Sequence, residues 1–209
     1  MSHTTGVRGG VRQAQKQKTR QALLDAALVL LEEQSLSSLG LREVTRAAGI
    51  APTAFYRHFR DTADLGVALV DEALGSLHGT IRTTLAATGD SETRIAGTVE
   101  LIAALVRDHP AHVRFVAREQ HGGVRAVREA IAAQLDRFAQ EVAEDLARQP
   151  ETGGWPTEDL LMLAGLYVDH MVMTASALLG ADAEARREAA RVSARRLRLI
   201  AVGSRHWLD

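Results

Sequence analysis

Apolar residues recur three and four apart along almost the whole chain and nowhere alternate every second residue, so the pattern predicts helices only. The first apolar stripe is Leu23, Ala27, Leu30 and Leu31, on a helix that Lys16, Lys18 and Arg20 begin. Glu32 to Ser35 lead out of it, and Leu36 and Leu39 close a small core. A short helical run over 41–48, Leu-Arg-Glu-Val-Thr-Arg-Ala-Ala, ends at Gly49, where glycine permits the positive φ of a tight turn. Pro52 then stands in the first turn of the next helix. That helix carries Phe55 and Phe59 four apart on one face, with Thr53, Tyr56, Arg57 and His58 pointing elsewhere. Two short helices across a glycine turn, the second rich in hydrogen-bonding and cationic side chains, form a helix-turn-helix pattern.

Asp61 and Asp64 have the spacing of a capping box for a long helix over about 61–87. Its stripe, Leu65, Leu69, Ala73, Leu77 and Ile81, runs on from the head, so this helix can carry displacement between the two parts of the chain. Thr88 to Ser91 end it, and helices over about 91–107, 110–119, 124–148, 157–179 and 183–205 follow. Their breaks are Asp108-His109-Pro110, Gly122-Gly123, the loop from Pro150 to Pro156, and Asp182 as an N-cap. The prediction is an all-α protein of about nine helices: a basic arm over 1–13, a head over 14–60 and a body over 61–209. The eighth helix is apolar almost all round, so one side faces the protomer's own core and the other a second subunit. Its Asp169 and His170, with no flanking aromatic belts, argue against a membrane span over Leu160–Ala181.

Scarce proline and abundant Ala, Leu, Arg and Glu agree with helices. The absence of cysteine excludes disulfides and thiolate metal sites. The net charge of −1 conceals an asymmetry, for residues 1–60 hold nine Lys/Arg against four acids while the remainder is acidic. A basic head on an acidic body suits a head that meets phosphate backbones. Arg8 and Arg12 lie among glycines in the arm, either to enter a minor groove or as a solvated tail. No apolar signal-peptide core begins the chain, which implies a soluble cytoplasmic protein.

Candidate chemistry in the body is sparse. His109 and His112 can place two imidazoles on one helix face, but no third ligand beyond Asp108 is evident, so no metal site is expected. Asp169 and His170 must find partners, either across a dimer interface or in a ligand cavity. No nucleophile motif, phosphate loop or paired carboxylate set points to an enzyme.

The order Gly-Ile-x-x-x-x-Phe-Tyr-x-His-Phe, after Leu-Arg-Glu-Val-x-x-Ala-Ala, resembles the DNA-binding head of the TetR family of bacterial transcriptional regulators. The resemblance implies a homodimer on a palindromic double-stranded DNA operator, released or strengthened by a small apolar effector, with no other cofactor. By it Arg42 meets a base edge, Tyr56 and His58 meet phosphates, and Thr53 begins the groove-facing helix. Lys16 joins the DNA contacts, and Thr62 stands where the family commonly has a lysine, with Arg57 or Arg60 to compensate. Gly40, Thr45 and the pair Thr53-Ala54 depart from common family choices and bear on fine packing or base preference, not on the fold. The last two helices supply the dimer interface, for which Leu161, Val168, Val172, Leu197 and Ile200 are the candidates.

A closer resemblance rests on residues 14–20, 38–44, 49–61, 65–66, 70–72 and Phe-x-x-Arg-Glu at 115–119. These look like the subgroup that represses unsaturated-fatty-acid and desaturase genes and senses long-chain acyl-CoA. The effector cavity is then expected between helices 4 to 8, lined by Leu101, Leu105, Phe115, Arg118, Phe138, Met162, Leu166, Tyr167 and His170. Arg114, Arg118, Arg125 and Arg128 are available to hold a CoA head, or else pair with Glu119 and Glu129. The alternatives are a repressor of an efflux or catabolic operon responding to a drug-like metabolite, a helical enzyme or storage protein using the cavity, and a protein–protein adaptor using the head.

Overall fold

The computed structural model describes residues 5–75, 77 and 91–208. Among them the chain is helical with no strand: α1 (Thr5–Leu30), α2 (Leu41–Ala47), α3 (Pro52–Phe55), α4 (Thr62–Gly75), α5 (Ser91–Asp108), α6 (Pro110–Glu119), α7 (Arg125–Leu146), α8 (Thr157–Leu178) and α9 (Ala183–Ser204). The later helices keep within two residues of the bounds their periodicity predicts. The beginning differs. Where the sequence predicts an arm over 1–13, α1 already runs from Thr5, because extending an existing helix fixes one residue per hydrogen bond gained, unlike nucleation. Residues 12–18 of it are exposed. The predicted continuation of α4 to about 87, with Ile81 and the break from Thr88, lies outside the described residues, as do residues 1–4 and the Arg8 side chain.

Two caps set the chain direction. Asp61 Oδ1 accepts the Asp64 N–H at 2.8 Å, and Asp64 reaches back to the Arg60 N–H at 2.9 Å, so the predicted box forms one residue out of register. Asp182 accepts from the N–H groups of Glu184 and Ala185 and opens α9.

The head packs Leu23, Leu24 and Ala27 of α1, with Leu31 just past its end, against Val44, Phe55 and Phe59, all nearly solvent-free. That core continues without a break through Leu65, Leu69 and Val70 of α4 into Phe115, Val127, Ile131 and Phe138 of the body. In the body, α7 and α8 pack along one another, α4 lies on α7, and α9 covers α5 and α8. By length and composition α8 could cross a membrane. It instead buries Leu160, Leu163, Ala164 and Val168 in the protomer and turns Leu161, Met162, Leu166 and Met173 outward.

The head is also bonded to α6. Arg118 donates to the carbonyls of Leu31 (2.8 Å), Gln34 (2.6 Å) and Glu32 (3.1 Å) just past the end of α1. Those carbonyls have no helical partner, and a cation there also suits the helix dipole. Glu119, buried, accepts the Leu36 N–H at 2.9 Å, and Arg114 pairs with Glu32 at 3.3 Å.

Gly66 of α4 sits where helix and seam come closest. A Cβ there would collide with Leu36 and lie 2.8 Å from Cγ2 of Val127. Alanine in mid-helix gains about 1 kcal/mol of intrinsic helix propensity, but overpacking costs about 1–3 kcal/mol, so the clash wins. Gly66→Ala should lower the urea midpoint of unfolding at unchanged m-value; a raised midpoint would show that Leu36 yields freely.

Candidate nucleic-acid interface and apolar cleft

The turn between α2 and α3 is built by backbone bonds. Gly49, at φ 66°, donates to Arg46 O at 3.1 Å, and Ile50 donates to Thr45 O at 2.9 Å. This is a Schellman closure, which requires the left-handed residue that glycine supplies. Thr45, an unusual choice here, is buried and donates to Arg42 O at 3.2 Å, so its hydroxyl is satisfied. Phe55 and Phe59 anchor the second helix to the core, their rings 5.6 Å apart. Residues with polar tips are left outward: Thr53 and Arg57 are exposed, Tyr56 is 63% exposed, and Arg42 is exposed in the first turn of α2. Thr62, half-buried, begins α4.

His58 reports the electrostatics of this face. Its pKa lies below the usual histidine value, first because of burial and then because Lys16, Arg20 and Arg57 repel a proton on it. Cations of α1 and of the α3 turn are therefore gathered around one imidazole, whose buried Nδ1 has no hydrogen-bond partner among the described residues. Arg20, not among the predicted contacts, stacks its guanidinium 4.8 Å from the centre of the Phe59 ring. Its position on α1 opposite the second aromatic of the motif is the signal that could have identified it. Of the two arginines considered as substitutes for a lysine at 62, Arg60 is bonded to Asp64 at 3.2 Å and Arg57 is exposed.

Behind the head, helices α4 to α8 line an apolar cleft that opens to solvent. Leu74, Leu101, Leu105, Val116, Phe138, Val168 and Met171 are among the residues that form its walls. Two polar side chains line it. Ser176 donates to its own helix at Val172 O, 3.0 Å, and His112 bonds Glu72 of α4 at 3.2 Å. A second, more polar cleft shares Val142 and Met171 with the first and carries Arg94, Tyr167 and Arg205 together with Asp145 and Glu151.

Of the predicted effector residues, Leu101, Leu105 and Phe138 line the apolar cleft. The others do not. Phe115 is 1% exposed within the continuous core, Arg118 is spent on α1, and Tyr167 faces the second cleft, where burial raises its hydroxyl pKa. Met162 and Leu166 are on the outer face of α8. Helical periodicity names a stripe but not which stripe faces inward when a helix is apolar all round. The same ambiguity displaces two predicted interface residues of α8, for Val168 and Val172 line the cleft, while Leu197 of α9 packs inward on Ile95 and Val99. Leu161 remains on the outer face of α8, while Ile200 is half-buried against the core.

The two polar pairs of the body also resolve. Asp169 is exposed. His170 is buried between α8 and α9, 3.0 Å from Ser193 Oγ and 3.4 Å from Thr174 Oγ1, so its partners are inside the protomer and it faces neither clefts nor outer surface. Burial, then, lowers its pKa, against a raising contribution from Ser193. His109 and His112 stand edge to face at 5.9 Å. Among the described residues no three His, Asp or Glu side chains are placed to hold a metal ion. The arginines considered for a CoA head are engaged: Arg114 with Glu32, Arg118 with α1, Arg125 with Glu129 at 2.6 Å and Arg128 with Gly122 O at 2.5 Å.

Residues 23–69 match the family model of bacterial regulatory proteins of the tetR family. Solved structures of similar form include a protein of Syntrophomonas wolfei assigned to that family, at 15% identity and a TM-score of 0.74, covering 90% of this chain and 96% of that one. The regulator FadR of Bacillus subtilis, in complex with stearoyl-CoA, matches at 14% identity and 0.68, over 86% of this chain and 96% of its own. AibR, in complex with isovaleryl coenzyme A and operator DNA, matches at 13% and 0.64, over 84% and 96%. At such identities these likenesses establish the fold. Proteins of this family are DNA-binding transcription regulators, not enzymes. Over residues 23–69 the chain is therefore similar to the bacterial regulatory proteins of the tetR family, and head and body together have the fold of the Syntrophomonas wolfei protein.

Proposed function

We propose that this protein is a homodimeric repressor that binds a palindromic operator and is switched by an effector with a fatty-acyl chain, acting on lipid-metabolism genes in the cytoplasm. The observation that carries the reading is the apolar cleft whose walls include α4, the helix that follows the DNA-binding turn, and α6, which is bonded to the end of α1. Arg42, Thr53, Tyr56, Arg57, His58, Thr62 and Lys16 form the DNA face, with Arg20 added. A phosphate near His58 relieves the repulsion among its cationic neighbours Lys16, Arg20 and Arg57. The binding of stearoyl-CoA by FadR and of isovaleryl coenzyme A by AibR supports the acyl class. The adjoining cleft, which shares Val142 and Met171 with the first, is lined by the cations Arg94 and Arg205, toward which a CoA head could extend. Among the described residues that line the main cleft there is no lysine or arginine, which favours a second reading, an uncharged drug-like or metabolite effector without CoA.

The dimer face in this reading is the outer side of α8 with α9, where Leu166 is 51% and Leu199 72% exposed beside Leu161, Met162, Met173 and Val202. Such a contiguous apolar surface is covered in a stable assembly. Leu166→Arg should turn a dimer into a monomer in sedimentation velocity at micromolar concentration; a monomeric unaltered protein would sink the proposal.

On DNA, affinity for an operator selected from random duplexes should fall steeply with salt. Arg42→Ala should cost about 1–3 kcal/mol and relax preference at one base pair per half-site, whereas Tyr56→Phe should weaken all sequences alike. Equal losses on specific and random DNA in an anisotropy titration would remove Arg42 from base reading.

For the effector, operator binding is titrated with saturated and unsaturated long-chain acyl-CoAs, free fatty acids and unrelated apolar drugs. The acyl reading requires a shift of about 5–150-fold in operator affinity with acyl compounds. A shift with drugs alone transfers the protein to the second reading.

A further inference from the structure

Among the described residues that line the cleft only His112 and Ser176 are polar, and His112 leads to the head. His112 is the one titratable side chain among the described residues that line it. Its Nε2 lies 3.2 Å from Oε1 of Glu72 on the neighbouring helix α4. The same carboxylate accepts from the side-chain amide of Gln21 on α1, at 3.2 Å and 3.1 Å from its two oxygens. Gln21 Nε2 also donates to Asp25 Oδ1 at 2.9 Å. An amide nitrogen has two hydrogens, so one serves Asp25 and the other is shared between the oxygens of Glu72. A shared hydrogen is a weak tie that a small turn of the carboxylate tightens or breaks. Three side chains on three helices thus run from the cleft wall to the first helix of the DNA-binding head. His112 and Glu72 are 20% and 30% exposed, so water screens the pair only in part.

Resting on the reading of the cleft as the effector site, we propose that His112 recognises the polar end of the effector and that Glu72 and Gln21 relay its engagement to α1. The effector is then an apolar chain that ends in a carboxylate or carbonyl oxygen. Glu72 is an acceptor, so the ring nitrogen facing it carries a hydrogen. An effector oxygen competes for that donor, and in a lining otherwise closed to hydrogen bonding it has nowhere else to go, Ser176 being bonded to its own helix. Once His112 turns to the ligand, Oε1 of Glu72 loses one of its donors and the carboxylate re-forms its bonds with Gln21. The position of α1 against α4 changes with them. Ligand preference between the two arrangements is what alters operator affinity. The second attachment of the head, through Arg118 and Glu119, springs from the same helix as His112, so both ties respond to movement of α6.

The test uses the full-length protein, dodecanoate as probe, calorimetry for binding and anisotropy for the operator. Dodecanoate should bind the unaltered protein and change its operator affinity. His112→Phe keeps a ring in the wall and deletes the donor, so dodecanoate should bind about tenfold more weakly, the loss of one hydrogen bond to a charged group. Gln21→Ala is exposed and outside both sites, so dodecanoate binding and ligand-free operator binding should stay within about twofold. Its operator response to dodecanoate should nevertheless fall to less than half, because the coupling and not the affinity is cut. A full response in Gln21→Ala, or undiminished dodecanoate binding in His112→Phe, overturns the relay and leaves the cleft reading standing. Failure of the unaltered protein to bind dodecanoate, or binding without any change on the operator, overturns both. Gln21→Ala alters only an exposed side chain, so the relay stays open to refutation even if His112→Phe fails to fold.

Discussion

Between Leu31 and Leu36 the chain leaves α1 with carbonyl groups and an amide that no helix can satisfy, and α6 satisfies them from more than eighty residues away. Arg118 serves three carbonyls with one planar group, and the neighbouring Glu119 accepts the Leu36 amide in a site that is 1% exposed. Hydrogen bonds to charged groups contribute about 1.5–3 kcal/mol each, and a buried amide left unmet costs about as much. The loss of this junction would open the hydrophobic core that runs continuously from Leu23 in the head to Phe138 in the body. Head and body are one packed object here, joined both by α4 and by the bonds from α6.

That arrangement gives α6 two faces with different chemistry. One, with Val113 and Val116, lines the cleft. The other, with Arg114, Arg118 and Glu119, grips the end of α1. The sequence pattern suggests α4 as the carrier of displacement because its stripe runs on from the head. The packing makes α6 at least its equal, for a ligand pressing on the cleft wall bears directly on a helix that holds the head by side chains.

The face around the α2–α3 turn has a simple electrostatic logic. The chain is nearly neutral overall, yet Lys16, Arg20 and Arg57 are close enough to depress the pKa of His58. Such gathered cations cost stability in the free protein and are relieved by phosphate. The body uses its own acids locally, as in Glu92 on Arg198 and Glu129 on Arg125.

Local chemistry alone determined the helices and the turn. Helix bounds follow from periodicity, Pro52, Pro110, Asp182 and Gly49, since capping and backbone freedom act within a few residues. The identities of the outward residues of α3 follow from the aromatics that pin its inner face. What a uniformly apolar helix does with its two sides is not local. Val168 reads as interface, and Met162 and Leu166 read as cavity, yet packing on α7 buries the first and leaves the other two outward, because every face of α8 has nearly the same transfer free energy and only its neighbours choose. The partners of Arg118, Glu119 and His112 were equally out of reach, since a charged side chain does not name a backbone group or carboxyl that lies 40 to 87 residues away until the tertiary structure brings it there.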